Sequence, residues 1–467
     1  RGWRMENGGW RRRFGAILHL LSSILVLMLV VGCDRKQGDA TKSNKPLYLI
    51  ASGDTAGWIM PCGCTSNQSG GLLRRGSYLD EMRGKGETIY LDAGGAAGGT
   101  SPYHQVKFDA ILRGEKQMGI VAHNLGKSEL ALGPQFLRDA AKNADVTLIS
   151  ANTTDASGSP LAVSQVAVQK GARRFIIVGV VSPKFSTDQV KISDPRQSVL
   201  STHAPLKGQY DSLIVLAYLP EDELQQLAQS LPEADVIIGG PTGQAIPPRN
   251  VGPTLLAAAT NKGKFLVQLE RPAGADKSTG NWSGKIVEMG QGIADHAPQV
   301  ANLKTYLAEL EKRNFTAAES GLALQLPPNL PADYRIAGSA SCLSCHKDDH
   351  AQWAQSKHGH AWQTLEQKQM HVDSYCMQCH TTGFGLPGGF DSRTASPLLV
   401  NVGCESCHGP SQAHVERPRT RTTFAAADQC VRCHDHENSP GFVYAAYWPR
   451  IRHGEKKSAA AGAEIAQ

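Results

Sequence analysis

Short apolar runs alternate with helical patterns through the middle of the chain, from Pro46 to about Met289. Runs rich in β-branched and other apolar residues predict strands: Leu47–Ala51, Thr88–Leu91, Val146–Ser150, Arg174–Val181, Ser212–Leu219, Asp235–Gly239, Thr254–Ala259 and Lys264–Leu269. Apolar residues spaced three and four apart predict helices over Leu72–Met82, Pro134–Lys142 and Glu221–Ser230. This alternation of strands and helices is typical of an α/β sandwich.

The alternation of strand and helix patterns ends at about residue 290, and changes of pattern along the chain predict its division into domains and linkers. Val300–Arg313 has apolar residues on one face and predicts an amphipathic helix, which Pro327-Pro328 follows in a stiff linker. The predicted parts are a leader (1–32), a polar tether (33–45), the α/β domain (46–290), the helix and linker (291–336), a C-terminal domain (337–454) and a disordered tail (455–467).

The leader has the features of an export signal. Three arginines, Arg11-Arg12-Arg13, precede an apolar run from Phe14 to Val31. Val30-Val31-Gly32-Cys33 resembles the bacterial lipobox, which implies that Cys33 is acylated and becomes the first mature residue. An uncleaved membrane anchor is the alternative. Both interpretations place the protein on the periplasmic side of a bacterial membrane, with the outer surface as the alternative location.

Composition and charge exclude several classes of protein. Hydrophobic residues make up 41 % of the 467 residues and charged residues 19 %, which is typical of globular domains. The net charge is +6, but the leader carries five arginines against one glutamate and accounts for four of those charges. The remainder is too weakly basic for binding to nucleic-acid phosphates, so we expect no nucleic-acid partner.

Cysteine and histidine are concentrated near the C-terminus. Eight of the 11 Cys and 11 of the 16 His lie between Ile336 and Lys457. The cysteines form four copies of one C-x-x-C-H pentapeptide: Cys342-Leu-Ser-Cys345-His346, Cys376-Met-Gln-Cys379-His380, Cys404-Glu-Ser-Cys407-His408 and Cys430-Val-Arg-Cys433-His434.

This repeated pentapeptide is the attachment signature of c-type haem. The two thiols form thioethers with the haem vinyl groups, and the adjacent histidine is the proximal iron ligand. We therefore predict four covalently bound haem c groups. A zinc site or a set of disulfides is the alternative, but neither requires a histidine directly after the second cysteine four times.

Seven further histidines in this region are candidates for the distal position. They are His350, His358, His360, His371, His414, His436 and His453. Four haems need at most four distal ligands, so these seven histidines are enough for bis-histidine coordination of every haem. For any single one, a surface or packing role is the alternative.

The motifs and their surroundings resemble the tetrahaem cytochromes of nitrifiers, which accept electrons from hydroxylamine oxidoreductase. The match includes Trp353-Ala-Gln-Ser-Lys-His358, Val402-Gly-Cys404 with its motif, and Ile451-Arg-His453. The resemblance implies that His358, His414 and His453 are distal ligands, each serving a haem other than its nearest in sequence. His371 is the fourth candidate. Members of that family can leave one haem five-coordinate.

The middle of the chain resembles the calcineurin-like metallophosphoesterase domain of periplasmic 5′-nucleotidases. The matching segments follow the family order: Ser52-Gly-Asp54, Gly70-Gly-Leu-Leu-Arg-Arg75, Leu91-Asp-Ala-Gly-Gly95, Leu125-Gly-Lys-Ser-Glu129, Ser150-Ala-Asn152 and Ile237-Ile-Gly-Gly-Pro-Thr-Gly243. The resemblance implies the same α/β fold, followed by the smaller, mainly helical and loop-rich cytochrome domain.

Most positions that hold the two metal ions in that family are substituted here. Asp54 stands where the first aspartate would be, but Ala56 replaces a histidine and Gly95 replaces the bridging aspartate. Other family ligands are replaced by Lys127, Ser128, Tyr218, Pro241 and Gly243. One aspartate does not assemble a two-metal centre. We therefore expect a catalytically inactive scaffold, with nucleotidase activity as the alternative.

A pair of cysteines, Cys62 and Cys64, follows Asp54 in a loop. The loop resembles that of an exported 5′-nucleotidase-like subfamily with a cysteine or selenocysteine there. The two thiols suit a plain disulfide, a dithiol–disulfide redox pair or a soft-metal site.

The chain as a whole is therefore predicted to be an exported electron carrier working with redox partner proteins. Bis-histidine ligation leaves no iron position for a substrate. The alternative is a haem-dependent oxidoreductase of small nitrogen or sulfur compounds at a five-coordinate haem. The C-terminal domain has many Gly, Pro and polar residues, and we expect it to contain short helices, long loops and little sheet, with the haems filling its interior.

Overall fold

The computed structural model of the protein describes residues 45–61, 68–274, 282–326, 329–420 and 426–454. No helix within these ranges is long and apolar enough to cross a membrane. The predictions for the leader with Cys33, for Cys62 and Cys64, for Pro327-Pro328 and for the tail lie outside the described residues.

Strands are confined to the first two thirds of the described chain. Their bounds are β1 Leu47–Ser52, β2 Glu87–Asp92, β3 Ala122–Asn124, β4 Leu148–Ile149, β5 Thr153–Asp155, β6 Gln165–Lys170, β7 Arg173–Val181, β8 Val190–Ile192, β9 Ser212–Tyr218, β10 Val236–Gly240, β11 Ile246–Val251, β12 Thr254–Ala258, β13 Phe265–Arg271 and β14 Ser283–Glu288.

Helices occur throughout the described residues. The α-helices are α1 Leu73–Lys85, α2 Pro102–Gln117, α3 Lys127–Ala131, α4 Pro134–Ala144, α5 Pro195–His203, α6 Glu221–Ser230, α7 Ala297–Arg313, α8 Ala317–Ser320, α9 Lys347–Ala354, α10 Ala361–Gln367, α11 Ser374–His380, α12 Cys404–His408, α13 Gln412–Glu416, α14 Ala426–Cys430 and α15 Tyr444–Tyr447. Short 3₁₀ helices are Pro183–Phe185, Ala204–Leu206, Ser339–Cys342, His358–His360, Pro397–Leu399 and Trp448–Arg450.

Two six-stranded mixed sheets pack face to face. One has the order β14-β13-β1-β2-β3-β4 and the other β11-β12-β10-β9-β7-β6, while β5 and β8 form a separate pair. Strands β1 to β4 are parallel, as are β7, β9, β10 and β12, and antiparallel strands lie at the edges. The inner strands are continuously apolar because both of their faces are buried.

Three apolar clusters account for the layers of this α/β domain. The first lies between the sheets and includes Leu49, Ile177 and Ile238. The second joins the outer face of the β1 sheet to α1, α2, α4 and α7, and the third joins the other sheet to α5 and α6. The predicted α/β sandwich is thus confirmed, with helices on both outer faces.

Each strand and helix predicted for the middle of the chain has a counterpart within a few residues. The predicted helix Val300–Arg313 begins slightly earlier, at Ala297, and packs along α2. Its polar residues fasten that contact: Asn302 Nδ2 donates to the carbonyl of Ala110 at 2.8 Å, and Gln299 Nε2 donates to the carbonyl of Gly114 at 3.0 Å.

The C-terminal domain is built from short helices, as expected. Within residues 329–420 and 426–454 there is no strand, only a single bridge between Thr381 and Val400. Its apolar cluster contains Trp362, Met377 and Phe390, and Met60 and Leu307 of the preceding part of the chain pack against it. The smaller domain therefore shares its interior with the α/β domain.

A buried ionic network lies under the β1 sheet beside α2. His123 Nδ1 is 2.7 Å from Glu115 Oε2, and its Nε2 is 3.8 Å from Glu129 Oε1. Burial alone would lower the pKa of His123, but Glu115 and Asp92 outweigh burial and raise that pKa well above its usual value. The ring is therefore protonated, and it balances buried carboxylates.

We expect His123→Leu to destabilise the protein by about 3–5 kcal/mol, because it leaves buried carboxylates without their cation. Chemical unfolding of the purified protein measures the loss. Glu81→Gln, in an exposed pair with Lys85, is the control and should leave the unfolding midpoint nearly unchanged. Equal midpoints for both variants would contradict a stabilising network.

Candidate functional site

Each C-x-x-C-H motif lies in or beside one helical turn. The first motif runs from the end of the 3₁₀ helix Ser339–Cys342 to His346, the residue before α9. The second ends α11, the third forms α12, and the fourth begins at the end of α14. Residues three apart lie on the same side of a helical turn. The two thiols of each motif can therefore reach one ligand, with the histidine directly after them.

Contacts between cysteines give the order of the motifs in space. Cys342 of the first motif is hydrogen-bonded to Cys404 of the third. Cys407 of the third motif lies within electrostatic range of Cys430 and Cys433 of the fourth. Cys433 is also hydrogen-bonded to Cys379 of the second. The motifs therefore follow the order first, third, fourth, second, which differs from their order along the chain.

Three motif histidines each face a histidine from elsewhere in the domain. The ring centroids of His346 and His414 are 6.2 Å apart. Those of His358 and His434 are also 6.2 Å apart, and those of His408 and His453 are 5.9 Å apart. The three histidines that the family resemblance singled out are thus each brought to a motif distant in sequence.

This spacing suits one metal ion held between two imidazoles. A nitrogen–metal bond is about 2 Å long and a ring centre lies about 1 Å beyond its nitrogen, so two opposed rings are about 6 Å apart. The three pairs match that separation. The residues therefore fit iron with two axial histidines.

Hydrogen bonds at Nδ1 leave the other ring nitrogen for a metal. His414 Nδ1 is 2.8 Å from the carbonyl of Thr420, and His453 Nδ1 is 3.0 Å from that of Ile451. His434 Nδ1 is 2.9 Å from Ser439 Oγ. A ring whose Nδ1 is held in this way presents Nε2 as the ligand atom.

The second motif is different. His380 Nδ1 is 2.7 Å from the carbonyl of Ala361, but among the described residues no histidine forms a matching ring pair with His380. His371, the fourth candidate ligand, lies instead with its ring 6.1 Å from Trp362, and its buried Nδ1 has no hydrogen-bond partner.

The three other candidate histidines lie apart from these ring pairs. His350 packs edge-on against Trp353, with ring centroids 5.2 Å apart. His360 Nδ1 is 3.0 Å from the carbonyl of Ser356. His436 is exposed. The described contacts of all three are those of packing or surface residues.

Burial favours the neutral form of four histidines at these sites. It lowers the pKa of each of four of the paired or motif histidines: His358, His380, His408 and His434. A neutral imidazole is the form that binds a metal. The electrostatics therefore agree with the geometry.

Large apolar side chains are exposed beside the motifs. These are Leu343, Val415, Val431, Val443 and Tyr447. Leu343 and Val431 lie between the two cysteines of their motifs. An apolar macrocycle attached at the neighbouring cysteines has the right character to cover them.

The position of the family's two-metal site in the α/β domain is filled by side chains. Asp54 accepts a hydrogen bond from Thr260 Oγ1 at 2.9 Å, and burial raises the pKa of its carboxyl. The Tyr218 ring lies 2.7 Å from where a Cβ on Gly95 would be. Phe185 packs on Tyr218, with ring centroids 5.7 Å apart. A side chain at position 95 would collide with this tyrosine.

Glu129 at this site binds backbone instead of metal. Its carboxylate accepts from the N–H groups of Gly95, Ala96, Ala97 and Gly126. Burial opposes its ionisation, but His123 and these donors outweigh burial and lower its pKa. The carboxylate thus holds the loop after β2 in place.

Asp92, Glu115 and His123 also lie within 4.8 Å of one another. Arg75 completes the group, with Nη1 3.9 Å from Asp92 and 4.0 Å from Glu115. The guanidinium supplies the positive charge that a metal would otherwise supply. These residues therefore form an ionic network.

Comparison with known proteins agrees with this description of both domains. Residues 341–409 match the family described as "Cytochrome c554 and c-prime". Cytochrome c-554 of Nitrosomonas europaea is 34 % identical over 99 residues, which cover 18 % of this chain and 42 % of that protein. The chain thus spans less than half the length of this relative.

Two solved structures match the α/β domain. A 5′-nucleotidase precursor from Thermus thermophilus matches with a TM-score of 0.50 and 23 % identity, covering 58 % of this chain and 60 % of that one. The calcineurin-like phosphoesterase YfkN from Bacillus subtilis has a TM-score of 0.50 and 19 % identity, covering 57 % and 97 %. At such identities the likeness establishes the fold alone.

The fold and the motifs define a c-type cytochrome domain that follows an α/β domain of the metallophosphoesterase type. Part of this C-terminal domain is similar to cytochrome c554, and a c-type cytochrome family implies covalently bound haem c. The recognition of both domains from sequence motifs is thus confirmed.

Sequence reasoning missed the residue that anchors the cytochrome domain. Glu405, inside the third motif, is buried and accepts from the N–H groups of Ala337, Gly338 and Ser411 at 2.7–2.9 Å. It ties the third motif to the start of the domain. A glutamate between motif cysteines carries no local signal of this long-range role.

The contact between Gly95 and Tyr218 predicts that replacing Gly95 with the aspartate of the resembled family lowers the stability of the protein. Gly95→Asp should destabilise the protein by about 1–3 kcal/mol, because the new side chain meets the Tyr218 ring and Gly95 has a φ of 83°. Thermal unfolding measures the effect. Tyr218→Ala in the same chain should recover part of it, and Gly290→Asp, which faces open space, is the control. Wild-type stability of Gly95→Asp would show that the contact is absent.

Proposed function

We propose that this protein is an exported, membrane-anchored tetrahaem c-type cytochrome that transfers electrons in a periplasmic respiratory chain. The observation that carries the proposal is the set of three histidine pairs at a spacing of about 6 Å, each beside a C-x-x-C-H motif. Haem c at each motif would supply a one-electron iron couple. Electron donors and acceptors would be redox partner proteins, and no nucleic acid is involved.

The chain's own residues have distinct roles in this function. The eight motif cysteines bind the haems, and His346, His380, His408 and His434 are the proximal ligands. His414 serves the first motif, His453 the third and His358 the fourth. Cysteines of neighbouring motifs lie beside one another or within electrostatic range, which supports four centres close enough to pass electrons between them.

A second candidate function is a haem-dependent oxidoreductase of small nitrogen or sulfur compounds. The observation that favours it is His380, which has no matching ring pair among the described residues. The role of His371 as its distal ligand stays a prediction. A change in a high-spin signal on adding nitrite, hydroxylamine or cyanide supports the enzyme, whereas an unresponsive spectrum supports the carrier.

The α/β domain is proposed to be catalytically inactive. Tyr218 occupies the space beside Gly95, and Glu129 is committed to backbone donors. Lys127, whose Nζ lies 5.9 Å from the Phe185 ring, adds a positive charge that disfavours a second cation. Phosphoesterase activity of the purified protein with Mn²⁺ or Zn²⁺ would overturn this part of the proposal.

The spectra of ligand variants test the proposed function. We expect His453→Ala to convert one haem to the high-spin form, because the third motif loses its distal imidazole. Optical and EPR spectra of the holoprotein report this, and the intact mass reports four haems above the polypeptide. His360→Ala is the matched control and should keep the wild-type spectrum. A colourless protein, or an unchanged spectrum of His453→Ala, contradicts the proposal.

Membrane anchoring depends on Cys33. We expect Cys33→Ala to move the exported protein from the membrane fraction to the soluble periplasmic fraction, because the acylated residue is lost. Cell fractionation and the mass of the N-terminal peptide measure this. Cys62→Ala is the cysteine control. A variant that stays on the membrane indicates the alternative, an uncleaved anchor.

A further inference from the structure

The helix that carries the second motif is held by the α/β domain through one buried carboxylate. Asp373 precedes α11 and is only 5 % exposed. Its Oδ1 accepts from the N–H of Tyr375 at 2.9 Å and from the hydroxyl of Tyr103. Its Oδ2 accepts from the hydroxyl of Tyr306 at 3.1 Å. Two phenols thus bind the residue that caps α11.

Both tyrosines belong to the core of the other domain. Tyr103 lies in α2 and Tyr306 in α7, and both are buried. Burial, and then the charge of Asp373, raise the pKa of each phenol well above its usual value. The phenols therefore stay protonated and act as donors. Hydrogen bonds from polar residues of α7 to the backbone of α2 hold the two helices together. The hydroxyl groups of Tyr103 and Tyr306 are therefore fixed relative to each other.

Further contacts surround the same helix. Trp58 packs edge-on against Tyr375, with ring centroids 5.1 Å apart. Lys107 Nζ lies 4.8 Å from the Tyr103 ring and 5.5 Å from the Tyr375 ring. Burial and then Lys107 lower the pKa of His104 to about 4, so that ring is neutral. Lys107 thus places a positive charge beside the aromatic rings around α11.

We propose that Asp373 is a positioning residue through which the α/β domain orients the second motif and lowers the reduction potential of its haem. This inference rests on the proposed haem attachment at Cys376 and Cys379. A buried negative charge beside a haem favours the ferric form, which carries one more positive charge than the ferrous form. The degenerate domain therefore contributes to the redox chemistry, because its two phenols hold that charge in place.

The test compares reduction potentials of the holoprotein. Asp373→Asn keeps the shape of the side chain and its capping oxygen. In this variant the reduction potential of the haem at the second motif should rise, while the reduction potentials of the other three haems stay unchanged. We expect at least a tenfold change in its ferrous-to-ferric ratio at a fixed applied potential, or about 59 mV. Asp428→Asn, at an exposed carboxylate before the fourth motif, is the matched control. It should not shift the reduction potential of any haem by a comparable amount.

Tyrosine variants show whether the phenols act through the carboxylate. Tyr103→Phe with Tyr306→Phe should alter the potential and EPR signal of that same haem. In the Asp373→Asn background the same pair should cause no further shift, since coupled residues are not additive. Additive shifts, or equal shifts at all haems, overturn the inference.

Haem content separates the two proposals. If the intact mass shows fewer than four haems in the wild type, the proposed function fails. If four haems are present and the potential of none responds to Asp373→Asn, only the role of Asp373 fails. Should Asp373→Asn not fold, the tyrosine pair alone decides, because Phe removes only a hydroxyl group.

Discussion

The structure depends on how a domain of very short helices is held together. Most of the C-terminal α-helices have four to eight residues, and helices of this length do not form on their own in water. Their support comes from outside the helices. The α/β domain shares its apolar interior with them and binds Asp373, and the proposed haems would link the histidine pairs and the motif cysteines. Without these contacts the motifs would have no defined geometry.

The α/β domain shows how apolar packing maintains the metallophosphoesterase fold. The layers and the strand order of this fold are maintained by apolar contacts on both faces of the sheets. Glu129 still organises the loop after β2 through backbone donors. Tyr218 occupies the space that Gly95 leaves open. Side chains in this region therefore pack against one another.

Sequence reasoning succeeded where a signal was continuous. The long buried strands β1, β7 and β9 were predicted because parallel strands with two buried faces are apolar along their whole length. It missed β11, since Pro247 and Pro248 interrupt the pattern and this strand lies at a sheet edge. Helix α2 was missed although Ser101 and Pro102 form a standard start.

The sequence by itself predicted the haem attachment points, because two thiols and a histidine within one helical turn are a local chemical unit. It also predicted that most phosphoesterase ligands are replaced, since residue identities at positions matched to that family can be read from the sequence. Only the tertiary structure decided which candidate distal histidine faces which motif and how the motifs are ordered in space. It also decided that two tyrosines donate hydrogen bonds to Asp373. These relations join residues far apart in the chain, and the packing of whole elements sets them.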